Sequence, residues 1–156
     1  MVHRPHLTDQ RGQALVEMAL VGLLFLIVFF GIIEFSRALF TYNTIVQSTR
    51  AAARWAVVNV QSDTDAANIA RTKNIVVYSD PDVSSGSAIL SGLTTSLVDV
   101  SVQTMEADSQ GRAVSQKVSV RVSNFQFQFL LPIVGTITIP AFETSLYTES
   151  MGYVPS

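Results

Sequence analysis

Arg11-Gly12-Gln13-Ala14-Leu15-Val16-Glu17, followed at once by the uncharged run Met18 to Ile33, is the stretch on which the fold turns. Residues 14–33 form a span that, at about 1.5 Å per helical residue, covers about 30 Å, the thickness of a bilayer's hydrocarbon core. An ordinary secretory signal has a shorter apolar region, of about 7–15 residues, closed by a small-residue cleavage site. Ala51-Ala52-Ala53 mimics such a site but lies far beyond the apolar run, inside a helical pattern. Arg4 and Arg11 precede the span and no basic cluster directly follows it, so the positive-inside rule places the N-terminus in the cytoplasm and the later residues outside. One carboxylate, Glu17, falls within the span. Ionisable groups at that depth are costly, which makes Glu17 a functional candidate by default.

The helix is expected to continue past the membrane. Tyr42, Ile45, Val46, Thr49, Ala52, Ala53, Ala56 and Val60 recur at three- and four-residue spacings, while Asn43, Gln47, Arg50, Arg54 and Asn59 take the other side. The spacing predicts one helix over 13–60, with an apolar stripe on its outer half for a domain to cover. Asp63-Thr64-Asp65 supplies cap-type residues for a second helix over about 65–77, with Ala66, Ile69, Ala70, Val76 and Val77 on its apolar face. Ser79-Asp80-Pro81-Asp82 ends that helix, and Ser84-Ser85-Gly86-Ser87 and Ser91-Gly92-Leu93-Thr94-Thr95-Ser96 read as surface loops.

From Leu97 the period changes to two. Val98, Val100 and Val102 alternate with Asp99, Ser101 and Gln103, and Val118, Val120 and Val122 alternate with Ser119, Arg121 and Ser123. Glu106-Ala107-Asp108-Ser109-Gln110-Gly111-Arg112 is a polar turn suited to closing a hairpin between them. A third run, Thr136–Thr148, is interrupted by Pro140, which implies an edge position or a bulge. Phe125, Phe127 and Phe129 alternate with glutamines, the pattern of a strand's inner face, with an exposed apolar lip for a partner as the alternative. One apolar and one polar face per strand implies an antiparallel sheet covered on one side. The fold class is therefore α+β: a long N-terminal transmembrane helix, a second short helix, and a small antiparallel β-sheet domain packed on the outer half of the long helix.

Composition narrows the chemistry. The chain has no cysteine, and both histidines, His3 and His6, precede Gly12. Most acid–base and nucleophilic catalysis draws on His or Cys, so no catalytic residue, metal ligand set or cofactor is assigned. A hydrolase built on Glu106, Asp108, Glu143 or Glu149 is the residual enzymatic reading. Net charge is −2, or −3 if residues 1–12 are lost, with Arg37, Arg50, Arg54, Arg71, Lys73, Lys117 and Arg121 dispersed. That dispersal gives no electrostatic footprint for nucleic acid. Asp80 and Asp82 lack the further ligands a calcium site needs.

Arg11 to Glu17, the apolar run, Glu34-Phe35-Ser36-Arg37 and the small-rich Arg50-Ala51-Ala52-Ala53-Arg54 together resemble the TadE-like minor pilins, or pseudopilins, of the bacterial tight-adherence (Flp, type IVb) pilus. The resemblance covers the N-terminal third well and the β-rich remainder only in outline. It implies that a prepilin peptidase cuts between Gly12 and Gln13, leaving Glu17 as the fifth residue of the mature chain. It further implies that Glu17 pairs with the Gln13 amine of a neighbouring subunit during assembly. The family commonly has an aromatic after the glutamate, where this chain has Met18, and a proline early in the helix, where it has Gly22. Glu34 and Arg37, three residues apart, can form an ion pair on one helix face.

The resulting expectation is a structural subunit of the bacterial inner membrane. Residues 1–12 form a cytoplasmic leader, 13–60 the helix with its membrane span at 14–33, and 61–156 an extracytoplasmic domain, with incorporation into an extracellular pilus. Its expected partners are the prepilin peptidase, other pilin or minor pilin subunits, pilus platform membrane proteins and the lipid bilayer, with no nucleic acid and a role in adhesion or secretion. The alternative is an unprocessed single-span protein displaying an extracytoplasmic binding domain.

Overall fold

The computed structural model describes residues 8–83, 85–107, 113–130 and 135–149. His3, Arg4, His6, Ser84, Asp108 to Arg112 of the polar turn expected over Glu106–Arg112, Leu131 and Pro132 lie outside them, as does the side chain of Arg11. The chain forms two compact units, Met1–Leu39 and Phe40–Ser156.

In the first unit, helix α1 (Thr8–Asn59, of which residues up to Leu39 belong here) carries its apolar side chains outward. Leu15 is 72 % exposed and Phe25 66 %, and the same holds all round the run to Ile33. A helix satisfies its own backbone hydrogen bonds, so such a surface is stable in lipid and unstable in water. It is long and apolar enough to cross a membrane. Phe25 and Phe29, four residues apart, stack with centroids 6.1 Å apart, and the Ser36 hydroxyl donates to the Ile32 carbonyl at 2.8 Å.

In the second unit, the outer segment of α1 buries Ile45, Val46, Thr49, Ala52, Ala53 and Ala56, and Val60 just beyond its end is buried with them, the expected stripe with Tyr42 removed. Tyr42 stays 41 % exposed and meets the Phe142 ring edge-on at 6.3 Å. Helix α2 (Ala66–Tyr78) starts as its sequence implies: Asp65 caps it, accepting from the Asn68 backbone N–H at 3.3 Å and from Asn68 Nδ2 at 2.8 Å. These bonds, the side-chain one foremost, hold the Asp65 carboxyl below its ordinary 3.8. Asn68 Nδ2 also donates to the Asn59 carbonyl at 2.9 Å, tying the end of α1 to the start of α2. Ser79, left-handed at φ 61°, closes the helix by donating its N–H to Ile75.

The buried face of α2 differs from the one its alanines suggested. Ala66 and Ala70 are exposed, and Thr72, Ile75, Val76 and Val77 are buried. Thr72 tolerates burial because its hydroxyl donates to the Asn68 carbonyl at 2.8 Å.

After a 3-10 turn at Thr95–Leu97, strands β1 (Val98–Ala107) and β2 (Ala113–Val122) pair antiparallel, with Val98, Val100 and Val102 opposite Val122, Val120 and Val118. The six valines therefore share one face, and α1 and α2 cover it. The expected third strand is two strands in two sheets. β3 (Gln126–Gln128) pairs with β4 (Thr136–Thr138), while β5 (Phe142–Glu149) joins β2, giving the order β1-β2-β5. Pro140 lies between β4 and β5; it cannot donate to a ladder, and the chain changes sheet there. Phe125 and Phe127 are each only 4 % exposed, so the alternating phenylalanines serve the core, with Phe129 half-buried against Phe127 at 5.2 Å. The opposite face of the three-stranded sheet is polar, with Asp99, Arg121 and Glu143 in one cross-strand row and Ser101, Ser119 and Ser145 in the next.

Candidate functional site

The site begins with a glycine that the fold does not need. Gly12 lies inside α1, and a Cβ built on it would meet nothing within 4 Å. Glycine inside a helix costs about 1 kcal/mol relative to alanine, so position 12 forgoes helix stability without a packing reason. Gly22 and Gly31 are equally open, but they lie in the apolar run, where small residues let helices approach one another. An extended chain at Gly12 is the geometry a protease subsite calls for; the structure instead has it helical. Cleavage after Gly12 would require the first turns of α1 to unwind, a step whose cost a glycine lowers.

Glu17 is exposed on α1, five residues beyond Gly12, and has no hydrogen-bond or ion-pair partner among the described residues. It is flanked by Leu15, Val16, Met18 and Leu20, each more than half exposed. A carboxylate presented on an apolar helix surface is poorly stabilised by lipid, and an amine from a second helix would stabilise it strongly in low dielectric. Cleavage after Gly12 would create such an amine at Gln13, and would place Glu17 about one turn from its own chain's helix start, where the macrodipole favours negative charge.

Glu34 and Arg37 are brought together. Arg37 Nη1 donates to Glu34 Oε2 at 2.9 Å, with the Glu34 side chain 7 % exposed and that of Arg37 41 %. Arg50 and Arg54 project on the exposed side of α1.

Of the acids considered for hydrolysis, Glu106 and Glu143 lie at different rows of the sheet, Glu106 opposite Ser115 and Glu143 opposite Arg121. Glu149 is paired along the backbone with the same Ser115, but its side chain, like Asp108, lies outside the described residues. Among the described residues no group of three or more acidic or histidine side chains is placed to hold a metal ion. The sequence reading did not find the Asn68 clasp. Its signal was available in the Asp65-x-x-Asn68 spacing, the reach of a cap residue to the third helical position.

Comparison with known proteins bears on this same segment. Residues 12–54 match the family model described as TadE-like protein, the family whose motifs the N-terminal third resembles. The N-terminal segment is therefore TadE-like, and the match associates the chain with the Tad pilus as α1 associates it with the membrane. No curated protein and no solved structure matches the chain.

Proposed function

We propose that the chain is a prepilin-like structural subunit, cut between Gly12 and Gln13 by a prepilin peptidase and then used to build or prime a Tad (type IVb) pilus. The observation that carries this reading is the junction itself. A glycine with no packing role stands where the TadE-like match begins, inside α1 and just before an apolar run whose only charged residue up to Ile33 is Glu17. Residues 1–12 act as the cytoplasmic leader, 13–60 as the helix and 61–156 as the extracytoplasmic domain. Glu17 pairs with the Gln13 amine of a neighbour and sets the axial register of the subunits.

The experiment is N-terminal sequencing of the membrane-extracted protein from cells with an active prepilin peptidase. The mature chain is expected to begin at Gln13. Gly12→Val leaves the full-length chain, because a β-branched residue both fills the subsite and stiffens the turn that must unwind. Glu17→Ala is cleaved normally yet fails to enter the fibre. A membrane-inserted wild-type chain that still begins upstream of Gly12 would sink the proposal.

One observation favours the competing reading of an unprocessed single-span protein: α1 runs without a break through Gly12. Intact-mass measurement separates the two, since only processing removes residues 1–12.

A further inference from the structure

The outer segment of α1 carries a second charged feature that assembly through Glu17 does not use. Arg50 and Arg54, one turn apart, form with Thr44 and Gln47 one wall of an open groove of about 480 Å³, with Ser79 and Ile89 on its other side. Like charges at this spacing repel each other mildly. Arg54 Nε donates to the Arg50 carbonyl at 3.4 Å, and neither guanidinium has a carboxylate partner among the described residues. The carboxylates that follow Ser79 are held elsewhere: Asp80 accepts from the Asp82 N–H at 2.9 Å, and Asp82 lies 3.4 Å from Arg71 Nε.

We propose that this groove is an interface with a second copy of the chain, in which Arg50 and Arg54 of one copy receive carboxylates from residues 61–156 of the next. The inference rests on the subunit reading above, which brings copies side by side in a membrane or fibre. Its warrant is charge complementarity within one sequence. Beyond Arg37 the only charges on α1 are these two arginines, whereas residues 61–156 hold nine acidic against five basic residues. Asp63, Asp99, Glu106 and Glu143 are exposed and can reach a neighbour. Basic and acidic surfaces on different parts of one chain make a heterologous contact, the kind that propagates into a filament. Exposed ion pairs are individually weak, so their effect lies in register and partner choice, while the membrane helices keep the copies close.

The test places a photo-crosslinking amino acid at the exposed groove residue Gln47 of the full-length chain, in cells with an active prepilin peptidase. The expected product is a dimer of the chain in which residue 47 is joined to a peptide from residues 61–156. Arg50→Glu/Arg54→Glu abolishes it, Arg50→Lys/Arg54→Lys retains it, and high salt suppresses it in the protein with both arginines intact. The salt arm keeps the test decisive should the reversed variant fail to fold. Adducts only to lipid or to a different protein, or a dimer indifferent to both charge reversal and salt, overturn the proposal. Sequencing the N-terminus of the same sample keeps the two readings apart. A chain that begins at Gln13 without the dimer defeats the interface alone, and a chain that begins upstream of Gly12 defeats the subunit reading.

Discussion

Three threonines in or beside the core show how a single hydroxyl decides what burial costs. Thr49 and Thr72 are fully buried, and each donates to the carbonyl four residues back, to Ile45 at 2.6 Å and to Asn68 at 2.8 Å. A helix offers that acceptor to every threonine in it, so the hydroxyl enters the core satisfied. Thr144 sits on β5 opposite Val120, on the valine face, and its buried Oγ1 has no hydrogen-bond partner among the described residues. Thr148, four residues on along β5, donates its hydroxyl to the Gln116 carbonyl at 3.2 Å, a partner that Thr144 does not find at its own row. Thr144→Val keeps the shape and removes the unsatisfied oxygen, and is expected to raise stability by about 1 kcal/mol. Chemical denaturation of the folded chain measures it, with an unchanged or lowered midpoint as the contrary result. The same chemistry explains why the buried face of α2 includes Thr72 and leaves out the expected Ala66 and Ala70: a helical threonine enters the core with its hydroxyl satisfied, and alanine is at home on either side of a helix. Gly12 and Glu17 stand out in the sequence for a different reason, since each is unusual for its setting.

Among the elements, the outer segment of α1 was the most legible because only one of its faces is apolar, and that face meets the sheet. Its period of 3.6 named seven of the buried positions, Ile45 to Val60, and the two-residue period of β1 and β2 named the six valines beneath them. The path of the chain after Phe125 was less legible, because two short strands on either side of Pro140 look in sequence like one interrupted strand. Only the pairing of Phe127 with Ile137 and of Val122 with Phe142 assigns them to separate sheets. α1 meets the valine face through alanine: Ala52, Ala53 and Ala56 are all 0 % exposed and share hydrophobic clusters with the β2 valines. Ala53→Leu adds three heavy atoms where no space remains, and is expected to cost about 1–3 kcal/mol. The same change at the exposed neighbour Ala51 is expected to stay within about 0.5 kcal/mol. Paired melts of the two variants test the packing, and equal effects would show that the helix does not rest on its alanine face.

At the scale of the whole molecule, the two units place opposite demands on solvent. Most of the large apolar side chains exposed to solvent belong to α1 between Leu15 and Leu39, while the buried set from Ile45 to Phe127 lies wholly within residues 40–156. A core contained in one unit can fold without the other, and the exposed run of the first unit is stable only in lipid or against other helices. A chain cut to residues 40–156 is therefore expected to remain in solution without detergent, to keep the circular dichroism of a mixed helix and sheet protein, and to melt cooperatively. The full-length chain is expected to partition into detergent. Absence of cysteine means that no disulfide contributes to either behaviour, so reductant should change neither. If the fragment aggregates or loses its cooperative melt, residues before Phe40 contribute to the stability of the outer unit, and the membrane span is more than an anchor for it.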